Sequence, residues 1–425
     1  MMKHLAALAA VLAGTFGVAA GEGGDILAST LANGDHAAGL ESLQPLIAAD
    51  DSEASFAAGA LTVVDGIEAF VQAMYRHGLT TAPDIGMAGA ILGVPMTRSV
   101  IANPDPEPLD YEGLRAILTD LVTAMDGGRD LLAAAGKSGD YVVPVDILTI
   151  RIDANGDGVA DDSETIGAAL ALQLGINPSD LLGPGKSKSK NGESTAQGFI
   201  IGFDRADAFW LAGYTQVVAA QADLLLAHDF EEMFNSSFHR IFPQAGLPMQ
   251  EYSRGGTLMM DPESDAAIAD AVAFIHTFNF EVVDVDRLHD VRARLKSVVA
   301  FSRQNWEAIL AETDDERELV PSPAQTSIIP DVAVTQEVVD AWMETLDSVE
   351  AIIEGELLIP HWRFRQGFDL RAYFETATRT DAVMIFTGYG ALPFLKDGPI
   401  ADAQAFRQGL AVFGENFPGF ALWFN

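Results

Sequence analysis

Oxygen-bearing side chains recur at a fixed spacing in the segment Asp153-Ala154-Asn155-Gly156-Asp157-Gly158-Val159-Ala160-Asp161-Asp162-Ser163-Glu164. Counted from Asp153, they stand at positions 1, 3, 5, 9 and 12, on Asp153, Asn155, Asp157, Asp161 and Glu164. Position 6 is Gly158, where a chain wrapping around an ion must turn sharply, and position 7 is Val159, which offers a backbone carbonyl. A hard divalent cation takes six to eight oxygens, and this order supplies them from one short stretch, with Glu164 closing the cage through both carboxylate oxygens. An Asp/Asn/Gly surface turn would explain the early residues, but turn chemistry gives no reason for a glutamate at the twelfth position.

On these residues the segment resembles the calcium loop of the EF-hand family. The resemblance covers residues 153–164 alone and implies Ca²⁺ as the ion, held by Asp153, Asn155, Asp157, Val159, Asp161 and Glu164. The loop departs from the family pattern in two ways. Position 8, usually a large aliphatic residue that pairs with a second loop, is Ala160. Neither Asp284-Val285-Asp286 nor the stretch from Asp261 to Asp265 has the glycine and closing glutamate of a second loop. A lone loop implies a structural ion in preference to a cooperative sensor. After the loop a helix is expected to begin near Asp162, its acidic start matched to the helix dipole, with Ile166, Leu170 and Leu174 on one face and Gly175 and Asn177-Pro178 stopping it. Before it, Val142 to Ile152 fits a β-branched strand and equally a short helix with Pro144 at its first position.

Other constellations are weaker. His228, Glu232 and His239 would share one face of a continuous helix and suit a transition metal, which would make the chain a metal-assisted hydrolase. Their spacing is not the His-Glu-x-x-His of zinc proteases, and the remaining histidines show no ligand spacing. Gly185-Lys186-Ser187 matches the end of a phosphate-binding loop, but Asp180 stands where the leading glycine belongs. No Gly-x-Ser-x-Gly elbow is present, so the sequence leans away from an enzyme. A helical scaffold for a protein or peptide partner is the other alternative.

The elements that must position these residues read mainly as α. Met1 to Ala20 has Lys3, an apolar run and a small-residue end, the layout of a secretory signal peptide (1–20), which implies a secreted or periplasmic chain without a membrane span once cleaved. There are no cysteines, so disulfides and thiolate ligands are excluded. Hydrophobic residues make up 49% of the 425, enough for a large core. Lys plus Arg number 25 against 61 Asp plus Glu, and the net charge of −36 argues against nucleic-acid partners. Apolar periodicity marks helices over 37–49, from Glu53 toward Tyr75, over 110–135 with a break at Gly127-Gly128, over 207–226, 266–278, 286–310 and 335–358. The expected architecture is a multi-helix array with a few short extended segments: an N-terminal helical region over 21–182 carrying the loop, a flexible loop at 183–198, and a C-terminal helical region over 199–425, whether separate or sharing one core. The 207–226 helix is apolar on many sides and is expected at the centre, and the aromatic-rich tail from Asp369 is expected to pack inward. The function this supports is a secreted or periplasmic protein in which Ca²⁺ is mainly structural.

Overall fold

The computed structural model describes residues 20–80, 102–174, 199–250, 267–313, 315, 318–326 and 334–401, and these are mainly α-helical. The expected signal peptide (all but Ala20), the 183–198 loop, the Gly185-Lys186-Ser187 stretch and the end of the aromatic tail lie outside the described residues. In chain order the helices are α1 (Glu22–Asn33), α2 (His36–Ile47), α3 (Ser52–Arg76), α4 (Tyr111–Ala135), α5 (Ile166–Leu174), α6 (Arg205–Leu226), α7 (Glu231–Ser237), α8 (Ala267–Thr277), α9 (Val285–Ala311), α10 (Gln336–Ile353), α11 (Leu370–Thr376) and α12 (Ala382–Thr387). Short strands complete the fold. β1 (Val143–Asp146) pairs antiparallel with β2 (Ile200–Phe203), Val143 opposite Phe203. β3 (His228–Asp229), β4 (Asn279–Val282) and β7 (Arg379–Asp381) form one three-stranded antiparallel sheet. β5 (Ile359–Pro360), β6 (Gly367–Phe368) and β8 (Leu395–Lys396) form another.

Acidic and hydroxyl caps set the helix starts. Asp51 accepts from the Ala54 N–H, Asp110 from the Gly113 N–H and Thr335 from the Val338 N–H, each satisfying a donor that the first turn leaves unpaired. Asp204 and Asp207 form a reciprocal capping box at the start of α6. α3 and α4 lie close together because glycines line their contact. A β-carbon on Gly59 would meet Leu132, one on Gly66 would collide with the Ala124 β-carbon, and one on Gly128 would fall 2.5 Å from a Val63 methyl. The break expected at Gly127-Gly128 is therefore absent. α4 runs through both, since tertiary packing outweighs glycine's weak helix propensity.

α6 packs against α4 on one side and α9 on the other, and its residues enter all four hydrophobic clusters seen among the described residues. Ala208 and Ala212 join Leu27, Phe56, Leu61 and Phe203 in one of these, so segments from both sides of residues 183–198 share a core. Polar groups inside α6 are paired: Asp223 accepts from Arg294 Nε at 2.7 Å and from Arg287, and Arg294 also grips Asp126 on α4. Burial works against a charged carboxyl at Asp126, but Arg294 more than offsets it and holds the Asp126 pKa below the usual range. The aromatic tail divides. Phe374 and Phe394 are buried, whereas Phe386 and Tyr389 are about as open as Trp362, at 71%, 72% and 70% exposure. By length and composition one described helix, α3, is apolar enough to cross a membrane; here it packs against α1, α2 and α4.

Candidate metal centre

The chain reaches the acidic loop from β1 and a single 3-10 turn over Ile147–Thr149, and it leaves into α5. The approach is thus a strand followed by a tight turn, which decides the ambiguity over 142–152. Backbone bonds close the base of the loop: the Ile152 N–H donates to the Glu164 carbonyl and the Ile166 N–H to the Ile150 carbonyl, both at 3.0 Å. The helix begins at Ile166, later than the expected start near Asp162, because Arg151 and Thr165 pair as a β-bridge and hold 161–165 out of the helix. The Thr165 hydroxyl then caps α5 through the Ala168 N–H. Of the face expected to point inward, Ile166 packs against the core but Leu170 is exposed, and Gly167 and Ala171 are buried. The close approach of the Leu148 carbonyl to Gly167 favours that orientation.

Within the loop the oxygen-bearing residues turn toward its own backbone. Asp153 accepts from the N–H groups of Gly156, Asp157 and Gly158. Asn155 Oδ1 accepts from the Asp157 N–H at 2.7 Å and Asp157 Oδ1 from the Val159 N–H at 2.9 Å. Glu164 reaches back across the loop, Oε1 to the N–H groups of Ala154 and Asn155 and Oε2 to that of Asp161. Asp161 Oδ1 is held by the backbone and hydroxyl of Ser163, and these two bonds keep its carboxyl below the usual pKa. Gly156 and Gly158 have φ of +74° and +86°, the left-handed region. A β-carbon on Gly158 would meet nothing within 4 Å, so glycine is needed there for backbone conformation and not for space. Asp153 and Glu164 are buried, Asn155 is half-buried, and Asp157, Val159 and Asp161 are exposed.

The loop is clamped to the helical body. Glu68 of α3 accepts from the Asp153 N–H and Gln72 donates to the Asp153 carbonyl, both at 2.8 Å. Arg151 binds three ways: Nε to the Ala32 carbonyl near the end of α1, Nη1 to the Ala160 carbonyl, and Nη2 to Asp162. A β-carbon on Gly34, just past α1, would lie 2.8 Å from that of Ala160. Position 8 of the loop is small because it abuts this corner of the helices.

Beneath the loop lies a trio absent from the sequence expectations. His36, Asp65 and Glu68 each place one ligand atom within 4.8 Å of the others. His36, the first residue of α2, is 2% exposed, and neither ring nitrogen meets hydrogen-bonding geometry with any partner. Burial lowers its pKa and favours the neutral ring, with Asp65 and the Arg151 backbone pulling the other way. Glu68 is pushed up to about 7, first by burial and then by the charges of Asp153, Asp65 and Glu164, against the lowering effect of the Asp153 N–H. The sequence signal for this trio is slight: Asp65 and Glu68 share a face at i and i+3, but His36 comes from another helix.

A further trio, Asp204, Glu312 and Glu318, has a similar spread. Burial, followed by the charge of Asp204, pushes Glu312 up to about 9, so Glu312 keeps its proton at neutral pH. Among the described residues the loop carboxylates do not form such a trio by themselves.

No family model matches the chain, and neither a curated protein nor a solved structure matches it.

His228, Glu232 and His239 do not come together. His228 lies in β3, its ring between the Leu224 carbonyl and the Thr380 hydroxyl, each at 2.6 Å. His239 pairs with Asp270 at 3.0 Å in a 3-10 turn, and Glu232 is exposed on α7. The chain bends into a strand at His228 and Asp229, so the single helical face that would align the three never forms.

Proposed function

We propose that residues 153–164 bind one Ca²⁺ and that the ion is structural, fastening the β1 approach and the start of α5 to the α1–α3 corner. The observation that carries this reading is Glu164, whose carboxylate reaches back over the loop to the N–H groups of Ala154, Asn155 and Asp161 and closes the ring opposite Asp153. A carboxylate has about four lone-pair positions, so oxygens that accept loop N–H groups keep capacity for a cation. The anchors Glu68, Gln72 and Arg151 hold the backbone of the loop without using the side chains of Asp153, Asn155, Asp157 or Glu164. Calcium is the fitting ion because the loop offers oxygen donors only. Exported modules of this kind bind in the ~10⁻⁴–10⁻³ M range, which suits a chain whose first residues carry the pattern of a secretory signal.

At free Ca²⁺ about tenfold above the dissociation constant, binding stabilises the folded state by roughly 1.4 kcal/mol. Thermal melts of wild type and of the Asp153→Ala, Glu164→Gln double variant, each in Ca²⁺ and in chelator, test the reading. We expect the wild type to melt higher in Ca²⁺ and the variant to show no such difference. Equal melting of wild type with and without the ion would sink it.

A further inference from the structure

We propose that His36, Asp65 and Glu68 form a second cation site, separate from the acidic loop and selective for a transition-metal ion of the Zn²⁺ class. An acidic pair alone would carry no such reading; the histidine does. His36 is 2% exposed and neither ring nitrogen meets hydrogen-bonding geometry with a partner, although the Arg151 backbone lies near the ring. A buried polar group left unsatisfied is costly, so such groups are rare unless something else takes up their lone pair. The separation from Glu68 points to what that is. His36 Nδ1 stands 3.5 Å from Glu68 Oε2, too long for a good hydrogen bond. Two ligand atoms each about 2.1 Å from a tetrahedral Zn²⁺ lie about 3.4 Å apart, so the gap has the width that an ion would span.

The donor set determines the class of ion. Imidazole nitrogen suits zinc, copper, iron or nickel and is not a ligand that hard calcium selects, whereas two carboxylates balance a doubly charged ion. Asp65 is exposed and opens the site to solvent, which supplies an entry path for the ion. His36 and Glu68 are fixed from behind: His36 starts α2 directly after its cap Asp35, and Glu68 is held by the Asp153 N–H.

The test is calorimetric titration of the full chain with Zn²⁺ in excess Ca²⁺, for wild type, His36→Gln and Asp65→Asn. Excess Ca²⁺ keeps the oxygen-only loop from accounting for the signal, and the result does not depend on whether that loop binds Ca²⁺, because the variants leave it intact. We expect one Zn²⁺ per wild-type chain and a loss of affinity of about tenfold or more in each variant, at least what removal of a mere supporting residue costs a metal site. Asp65→Asn alters an exposed side chain and so keeps the test valid if His36→Gln fails to fold. Absence of Zn²⁺ uptake by the wild type, or equal uptake by wild type and Asp65→Asn, overturns the proposal.

Discussion

Arg151 illustrates how a single residue fixes the loop. Its guanidinium bonds the Ala32 and Ala160 carbonyls at 2.9 and 3.0 Å and also pairs with Asp162, joining the end of α1 to the second half of the loop. The Asp162 contact is with an exposed carboxylate and contributes little. The two carbonyl contacts matter more, because charge-assisted bonds are each worth about 1.5–3 kcal/mol and Ala32 lies where a helix end favours a cation. Arg151→Ala is expected to destabilise the fold by about 2 kcal/mol, and Arg151→Lys to recover less than half, since one ammonium cannot reproduce a planar fork. Urea unfolding checks this; a lysine variant as stable as wild type would show that the fork geometry is irrelevant.

Among the elements, the pairing of α3 with α4 turns on glycines that differ in their surroundings. Gly127 is exposed, and a β-carbon there would meet only a Thr62 methyl at an ordinary 3.6 Å. Gly128 is buried, and its β-carbon would fall 2.5 Å from a Val63 methyl and 3.3 Å from the Gly59 carbonyl. Gly127→Ala is therefore expected to stabilise the protein by about 0.5–1 kcal/mol through helix propensity. Gly128→Ala is expected to lose about 1–3 kcal/mol through overpacking. Denaturation midpoints that shift the same way for both would refute the close-packing account. The same pair shows how the sequence misleads here: two adjacent glycines carry a breaker signal, and only the facing helix reveals that one of them is there to let the backbones approach.

For the whole molecule, acidity is both a surface property and a buried one. The chain carries a net charge of −36, while Asp207 is buried and raised well above the usual carboxylate range, mainly by its burial. Glu312 sits beside Asp204 and Glu318 and is raised to about 9, burial being the larger cause. The folded chain keeps the Glu312 proton between the ordinary glutamate value and about 9, whereas the unfolded chain has lost it. The folded state thus binds more protons across that window, and its stability falls as pH rises. Melting temperature is expected to climb as pH is lowered from about 9 toward about 6. Relief of surface repulsion acts in the same direction, so the Glu312→Gln variant isolates the local part: its slope should be shallower than that of wild type. Parallel slopes would assign the whole effect to net charge.

The amino-acid order determined by itself the mainly helical class, the central place of α6 and the spacing of oxygens in 153–164, because apolar periodicity and a twelve-residue loop are short-range patterns. Tertiary structure decided the rest. It set the strand before the loop through pairing with β2, and the late start of α5 through the bridge from Arg151 to Thr165. It separated His228, Glu232 and His239, and it carried His36 from α2 to Asp65 and Glu68 on α3. Each of these depends on which distant segment lies opposite, and burial against that segment sets the protonation and reach of a side chain in a way that local spacing cannot encode.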